Sequence, residues 1–310
     1  MISTFRAFAV TALLISFSAH VLAADGWSDD FAASQKKAST EGKSLLIDFT
    51  GSDWCGWCIR LRKEVFDQAG FREAAEKNFV LVELDYPKDK SILSAETIKQ
   101  NADLSKRFLI KGYPTILLCD ETGVPFASTG YQEGGLKPYL TSLNGFLADK
   151  VARDELLEKA KLKTGFDRAV LLSEALDHVH LSPELIEKFY GDLKKEVLEN
   201  DPDHKTTLGV RLDVSARLET FSAKLKKLQV KKELAKINDL TAEILNDPSM
   251  GKDEIQRIHL MHGDALMAVG ENELGYAAIQ RAIDMDPESK KAEWLRMFLD
   301  TRKKKESPTS

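Results

Sequence analysis

Residues 45–58 read LLIDFTGSDWCGWC. The first part is apolar and β-branched except for Asp48, the pattern of a short buried strand. Gly51, Ser52 and Asp53 make a turn of small residues, and beyond Cys58 the run IRLRKEVFD places Leu61, Val65 and Phe66 on one face of a helix. The helix is expected to begin at about Cys58 or just before. Cys55 then falls at a helix N-terminus, where unpaired N–H groups and the helix dipole favour an anion. A thiol attacks only as its thiolate, and such positions bring cysteine pKa values into the range of roughly 3.5–7.5. Cys58 lies one turn inward and is more shielded. This placement makes Cys55 the attacking sulfur and Cys58 the resolving one.

Two other readings of a CxxC pair exist. Half of a zinc site needs a second pair of ligands; Cys119 is one more thiolate, and His178, His180, His204, His259 and His262 all fall in the second half of the chain without zinc-ribbon spacing. A purely structural staple across so short a loop gives little chain-entropy stabilisation. The redox reading therefore leads, with no metal and no cofactor expected.

The rest of the composition narrows the class. The chain has 310 residues, 43% hydrophobic and 30% charged, with a formal charge of −5, which gives no support to nucleic-acid binding. One positive charge within Met1–Arg6, the apolar run Ala7–Ala19 and the small residues around Val21-Leu22-Ala23 are expected to be a secretory signal peptide, residues 1–23. That run is short of the ~20 residues that span a bilayer, so no membrane span is expected after cleavage. Export to the periplasm, or secretion, places the cysteine pair where disulfides form.

From residue 24 to about 150 the sequence alternates: helices at 27–42, 58–67, 71–78 and 95–110, strands at 44–50, 79–85 and 112–120, a weak strand after the turn ETGVP, and a closing helix over 136–150. At this point LLIDFTGSDWCGWC resembles the active-site strand and loop of the thioredoxin superfamily. KGYPT at 111–115 resembles that family's cis-proline loop, FVLVELD at 79–85 its central strand, and TGVPFASTG at 122–130 its final hairpin. The resemblance covers roughly Trp27–Lys150 and is nearest to exported bacterial thioredoxin-like proteins with a WCxxC site.

The resemblance implies an α/β thioredoxin fold, a mixed sheet flanked by helices. It also implies a redox-active Cys55–Cys58 disulfide, and Asp48 as the buried acid that assists proton transfer. Trp54, Gly56, Trp57, Tyr113, a cis Pro114 and Gly130 would form the substrate-binding surface. The implied activity is protein-disulfide oxidoreductase, acting on protein thiols and disulfides with a further redox partner. The chain departs from the pattern at Trp57 between the cysteines, in a loop one residue longer before Cys55, in a longer segment 86–103, and at Leu81, which occupies the place of the lysine that partners the buried acid. Cys119 closes the apolar strand TILLC and reads as a buried bystander.

Residues 151–303 read as helices only, expected near Asp154–Lys163, Phe166–His178, Pro183–Asn200, Thr207–Leu228, Lys231–Asn246, Lys252–Val269, Glu273–Met285 and Ser289–Lys303, with a disordered tail at 304–310. The segment 257–287 resembles one tetratricopeptide repeat, with Gly263, Ala278, Ala282 and Pro287 at its small-residue and stop positions. His259 and His262 share a helix face and read as packing residues. The helical half suggests a second function: a client-binding adaptor or chaperone-like protein that uses the thioredoxin fold as a platform.

Overall fold

The computed structural model describes residues 26–306. The expected signal peptide, and residues 307–310 of the expected tail, lie outside the described residues.

Among the described residues, four strands form one mixed sheet in the order β2-β1-β3-β4. They are β1 (Ser44–Thr50), β2 (Phe79–Asp85), β3 (Thr115–Cys119) and β4 (Pro125–Thr129). Strand β1 pairs parallel with β2 and antiparallel with β3, and every residue of β1 is buried. Burial on both faces accounts for its nearly unbroken apolar run. Leu46 points into a core with Leu61, Val65, Phe66, Phe71 and Tyr139, while Leu45, Ile47 and Phe49 enter the opposite core with Phe31, Leu104 and Phe108. The first core lies under α2 (Gly56–Leu61), a π-helical turn at Arg62–Phe66, α3 (Phe71–Ala75) and α5 (Leu136–Ala160); the second lies under α1 (Phe31–Glu41) and α4 (Ala95–Arg107). Helix α1 is fixed by the Asp30 carboxylate, which accepts from Ala33 N–H, and ends at Gly42 in the left-handed region with φ 63°. Ser94 caps α4 in the same way by accepting from Thr97 N–H.

Two features differ from the sequence expectation. The helix expected to close near residue 150 continues through Leu136–Ala160 as α5. No proline or capping glycine interrupts 146–160, so the change of composition there marks no break in the backbone. Helix α7 (Pro183–Asn200), expected among the later helices, places Leu185 and Phe189 in the second core of the sheet. Its Tyr190 hydroxyl donates to the Pro125 carbonyl at 2.9 Å and accepts from Arg153 Nη1 at 2.7 Å. Just before it, His180 pairs with the free edge of β4: its N–H donates to Phe126 O at 2.9 Å and its carbonyl accepts from Ser128 N–H at 2.8 Å. Covering that edge with a short bridge protects the row of unpaired backbone groups that an edge strand exposes. Both His178 Nδ1 and His180 Nε2 hydrogen-bond to the Asp149 carboxylate, at 2.9 and 2.7 Å.

Residues up to Lys159 with Glu174–Lys194 form one compact unit; Ala160–Ser173 with the residues from Lys195 onward form a second. The second unit holds α8 (Thr207–Lys231), α9 (Leu234–Leu245), α10 (Lys252–Ala268), α11 (Asn272–Met285) and α12 (Lys290–Glu306), preceded by the start of α6 (Gly165–Asp177). Its core joins Leu218, Phe221, Leu225, Ile237, Ile258 and Leu266, with a further cluster around Tyr276, Ile279 and Leu295. Helices α10 and α11 touch backbone to backbone. A Cβ on Gly263 would stand 2.9 Å from the Gly275 carbonyl and 2.7 Å from Ile279 Cγ1, and a Cβ on Gly275 would stand 2.9 Å from the Gly263 carbonyl.

Alanine is the better helix former, yet here its methyl has no room. Gly263→Ala should therefore destabilise the helical unit by about 1–3 kcal/mol, seen as an earlier urea transition in far-UV circular dichroism. An unchanged or later transition would contradict this helix contact.

Candidate active site

Strand β1 delivers the chain to the site and the next few residues turn it. After Thr50, Gly51 carbonyl accepts from Cys55 N–H at 2.9 Å and from Trp54 N–H at 3.3 Å. A side chain at Gly51 would meet the Trp54 indole at 2.6 Å, so the ring lies directly on this glycine. The loop is also clamped to the end of β2. Asp85 accepts from Ser52 N–H at 2.9 Å and Ser52 Oγ at 2.5 Å, Asp53 accepts from Lys88 N–H at 3.0 Å, and Trp54 Nε1 donates to Tyr86 O at 2.8 Å. Ser52, Asp53, Asp85 and Tyr86 were not singled out by sequence. The one signal for them is the parallel register, which sets Thr50 against Asp85 and brings the two strand ends together.

Helix α2 begins at Gly56, and Cys55 is its N-cap. Cys55 Sγ accepts from the Cys58 N–H at 3.2 Å, the role a serine or aspartate oxygen plays at other helix starts. Cys55 and Cys58 are joined in a disulfide, with Cα atoms 5.2 Å apart. Both are buried, Cys55 at 6% exposure and Cys58 at 3%, so Cys55 is the slightly more accessible of the two. Cys119 lies in β3 opposite Leu45, away from this pair in the sheet register and fully buried. Burial pushes its thiol far above the ordinary range, which keeps it protonated and inert.

The remaining expected site residues separate into two flanks. On one side the Tyr113–Pro114 peptide is cis; Tyr113 meets Trp54 edge-on at 5.6 Å and Tyr86 at 5.2 Å. Gly130 stands against this loop: a Cβ there would be 3.2 Å from the Pro114 carbonyl. On the other side Trp57, 55% exposed, packs on Tyr131 at 5.2 Å. Arg60 lies over the Tyr131 ring at 4.9 Å, and Glu64 fixes both by bonds of 2.7 Å to Arg60 Nε and Tyr131 Oη. Gly56 is exposed between the flanks. Exposed indoles beside a disulfide are amphipathic contact surface of the kind that interfaces favour.

Asp48 lies in β1, two residues before the end of the strand. It is 2% exposed, on the β1 face that carries Leu46, and its Oδ1 makes no hydrogen bond. Burial pushes its carboxyl up to about 7, with nearby Arg62 holding it down and Asp85 pushing it further up. A buried carboxyl near neutrality can take or give a proton at physiological pH. The cation near it is not on β2, where Leu81 stands, but on the helix that carries the cysteines.

Residues 31–140 match the thioredoxin-like domain family. With the sheet order, the helix-start CxxC disulfide and the cis-proline loop, they make this part of the chain a thioredoxin-like domain of the thiol–disulfide oxidoreductase class. Among curated proteins it is similar to the disulfide bond reductase DsbH of Chlamydia pneumoniae, at 27% identity over 119 residues, 38% of this chain and 71% of that protein. It is also similar to the thioredoxin-related protein DsbJ of the same organism, at 31% over 192 residues, 60% of this chain but 49% of that protein. The thiol:disulfide interchange protein DsbD of Actinobacillus pleuropneumoniae serotype 5b (strain L20) is 33% identical over 90 residues, 29% of this chain and 14% of its own length. A solved DsbH oxidoreductase structure aligns at 26% identity over 38% of this chain and 80% of that one, with a TM-score of 0.36, so the fold assignment stands on the topology above and not on that superposition.

The Asp48 environment has a consequence for stability. Its folded-state pKa lies above the unfolded value, so the folded protein binds the extra proton. Stability from this group is full below about pH 4, falls as pH rises, and levels off above about pH 7, a loss of about 4 kcal/mol. Asp48→Asn should therefore melt higher than the wild type at pH 8, with the difference closing as pH falls to 4. Parallel melting curves across that range would show that Asp48 is not buried as described.

Proposed function

We propose that the protein is an exported thiol–disulfide oxidoreductase in which Cys55 attacks a substrate disulfide and Cys58 resolves the mixed disulfide. The observation that carries this reading is Cys55 as the N-cap of α2, its sulfur accepting the Cys58 N–H at 3.2 Å while bonded to Cys58. The same donor would favour the Cys55 thiolate in the reduced protein. In the first step the thiolate forms a bond to one substrate sulfur and the other leaves as a thiolate that takes up a proton. In the second, Cys58 loses its proton to Asp48 and attacks Cys55 Sγ, re-forming the internal disulfide and releasing the second substrate thiol. The substrate disulfide is thereby reduced, and a separate dithiol donor restores the pair. Trp54, Gly56, Trp57, Tyr113, Pro114 and Gly130 would receive the substrate chain. The reducing direction is favoured because the first of the relatives is named a reductase. No helix among the described residues is long and apolar enough to cross a membrane, and export rests on the sequence of residues 1–23.

The helical unit would hold a client or partner. The α10–α11 hairpin, with its glycine contact, supports the tetratricopeptide-like reading. A groove of about 350 Å³ bordered by Arg217, Phe221, Lys224, Leu240, Glu243 and Asp247 gives that unit an apolar surface with charges of both signs, Arg217 being paired with Asp247.

Purified protein should accelerate insulin reduction by dithiothreitol. Cys55→Ser should abolish that activity, while Cys58→Ser should accumulate covalent mixed disulfides. Full activity in Cys55→Ser would sink the mechanism. Equilibration with glutathione should place the pair near the thioredoxin value of about −270 mV; a value near about −120 mV would reverse the direction.

A further inference from the structure

Asp48 is a buried acid that needs a compensating charge, and its surroundings can be read off element by element. The β1 register sets Glu83 of β2 directly opposite Asp48 and Ile116 of β3 on the other side. Leu81 fills the next position on the same face of β2. From α5, Tyr139 comes within electrostatic reach, with a buried hydroxyl that makes no hydrogen bond. Asp85, at the end of β2, adds a second negative charge. Neither neighbouring strand nor α5 supplies a cation here. Arg62 does, from the turn that follows α2, where its backbone N–H donates to the Cys58 carbonyl. Its guanidinium forms an ion pair with Glu83, lies 3.8 Å from Asp67, and stacks over Trp27 at 5.9 Å. Glu83 and Trp27 thus hold the arginine beside the strand that carries Asp48.

We propose that Arg62 is the positioning residue for the proton-transfer step: clamped by Glu83, it sets how readily Asp48 accepts the Cys58 proton. This rests on the mechanism above, in which Asp48 takes that proton while the Cys55–Cys58 bond forms and the Cys55–substrate bond breaks. A positive charge on the cysteine helix stabilises the Asp48 carboxylate and makes it a usable base in a desolvated site. Glu83 opposes this twice, by drawing the guanidinium toward itself and by adding negative charge. The pair therefore works as a fixed bias on Asp48, and removal of each partner should move it in opposite directions. Arg62 sits one turn past Cys58, so the same helix carries both the group that loses the proton and the charge that tunes its acceptor.

The test follows the second thiol released when the reduced protein reacts with Ellman's reagent, which reports Cys58 attack on the Cys55 mixed disulfide. Its pH profile is measured alongside a carbon-13 NMR titration of the Asp48 carboxyl. In Arg62→Leu both midpoints should rise by about one pH unit, with release at pH 7 slowed about fivefold; Arg62→Lys should restore most of the wild-type profile. In Glu83→Gln, which keeps the arginine, both midpoints should fall. Unmoved midpoints in Arg62→Leu and Glu83→Gln, with Asp48→Asn still removing the limb, would overturn the role of Arg62 and leave Asp48 as the base. If Asp48→Asn leaves the release profile unchanged, the mechanism fails at Asp48 and the role of Arg62 falls with it. If Arg62→Leu does not fold, Arg62→Lys and Glu83→Gln decide the matter by the same titration.

Discussion

The site depends on one placement: the Cys55 sulfur caps the first turn of α2. An α-helix begins with N–H groups that have no partner within the helix. Here one of them points at a sulfur instead of an oxygen. That sulfur stays put because the chain before it cannot move far. Strand β1 is buried along its whole length, the Gly51 carbonyl holds Cys55 N–H, and Asp85 and Asp53 tie the loop to the end of β2. The sheet thus converts burial of a seven-residue strand into the position of a single atom.

The second constraint works against stability. A carboxyl buried in β1 costs free energy whenever it ionises, and an apolar residue there would suit the core better. Strain of this kind is common where a group must change protonation near neutral pH. The structure offsets it only in part: Arg62, paired with Glu83, lowers the Asp48 carboxyl pKa electrostatically without a hydrogen bond to its Oδ1. This arrangement differs from the one expected by resemblance, in which a lysine on the neighbouring strand partners the acid. Leu81 takes that place, and the positive charge comes from the cysteine helix.

Much of the first unit was legible because its signals are local. LLIDFT announces a buried strand, CGWC followed by an amphipathic run announces a helix start, and Gly-Tyr-Pro-Thr marks the loop that presents Pro114. What escaped the sequence depends on contacts between distant residues. Arg62 looks like any charged position on a short helix until Glu83 is set opposite Asp48 by strand register. His180 and Tyr190 look like parts of a later helical region until they meet the edge of β4 and the Pro125 carbonyl. The expected break near residue 150 came from a change in composition, which carries no backbone signal of its own.

The most direct measurement of the central claim is the pH dependence of Cys55 alkylation in the reduced protein, followed by iodoacetamide and peptide mass spectrometry. A helix-capping sulfur should react as thiolate well into the neutral range, with a midpoint between about 3.5 and 7.5. A midpoint at or above about 8.5, the value of an ordinary exposed thiol, would mean that the helix start does not activate Cys55, and the account of the site would fail.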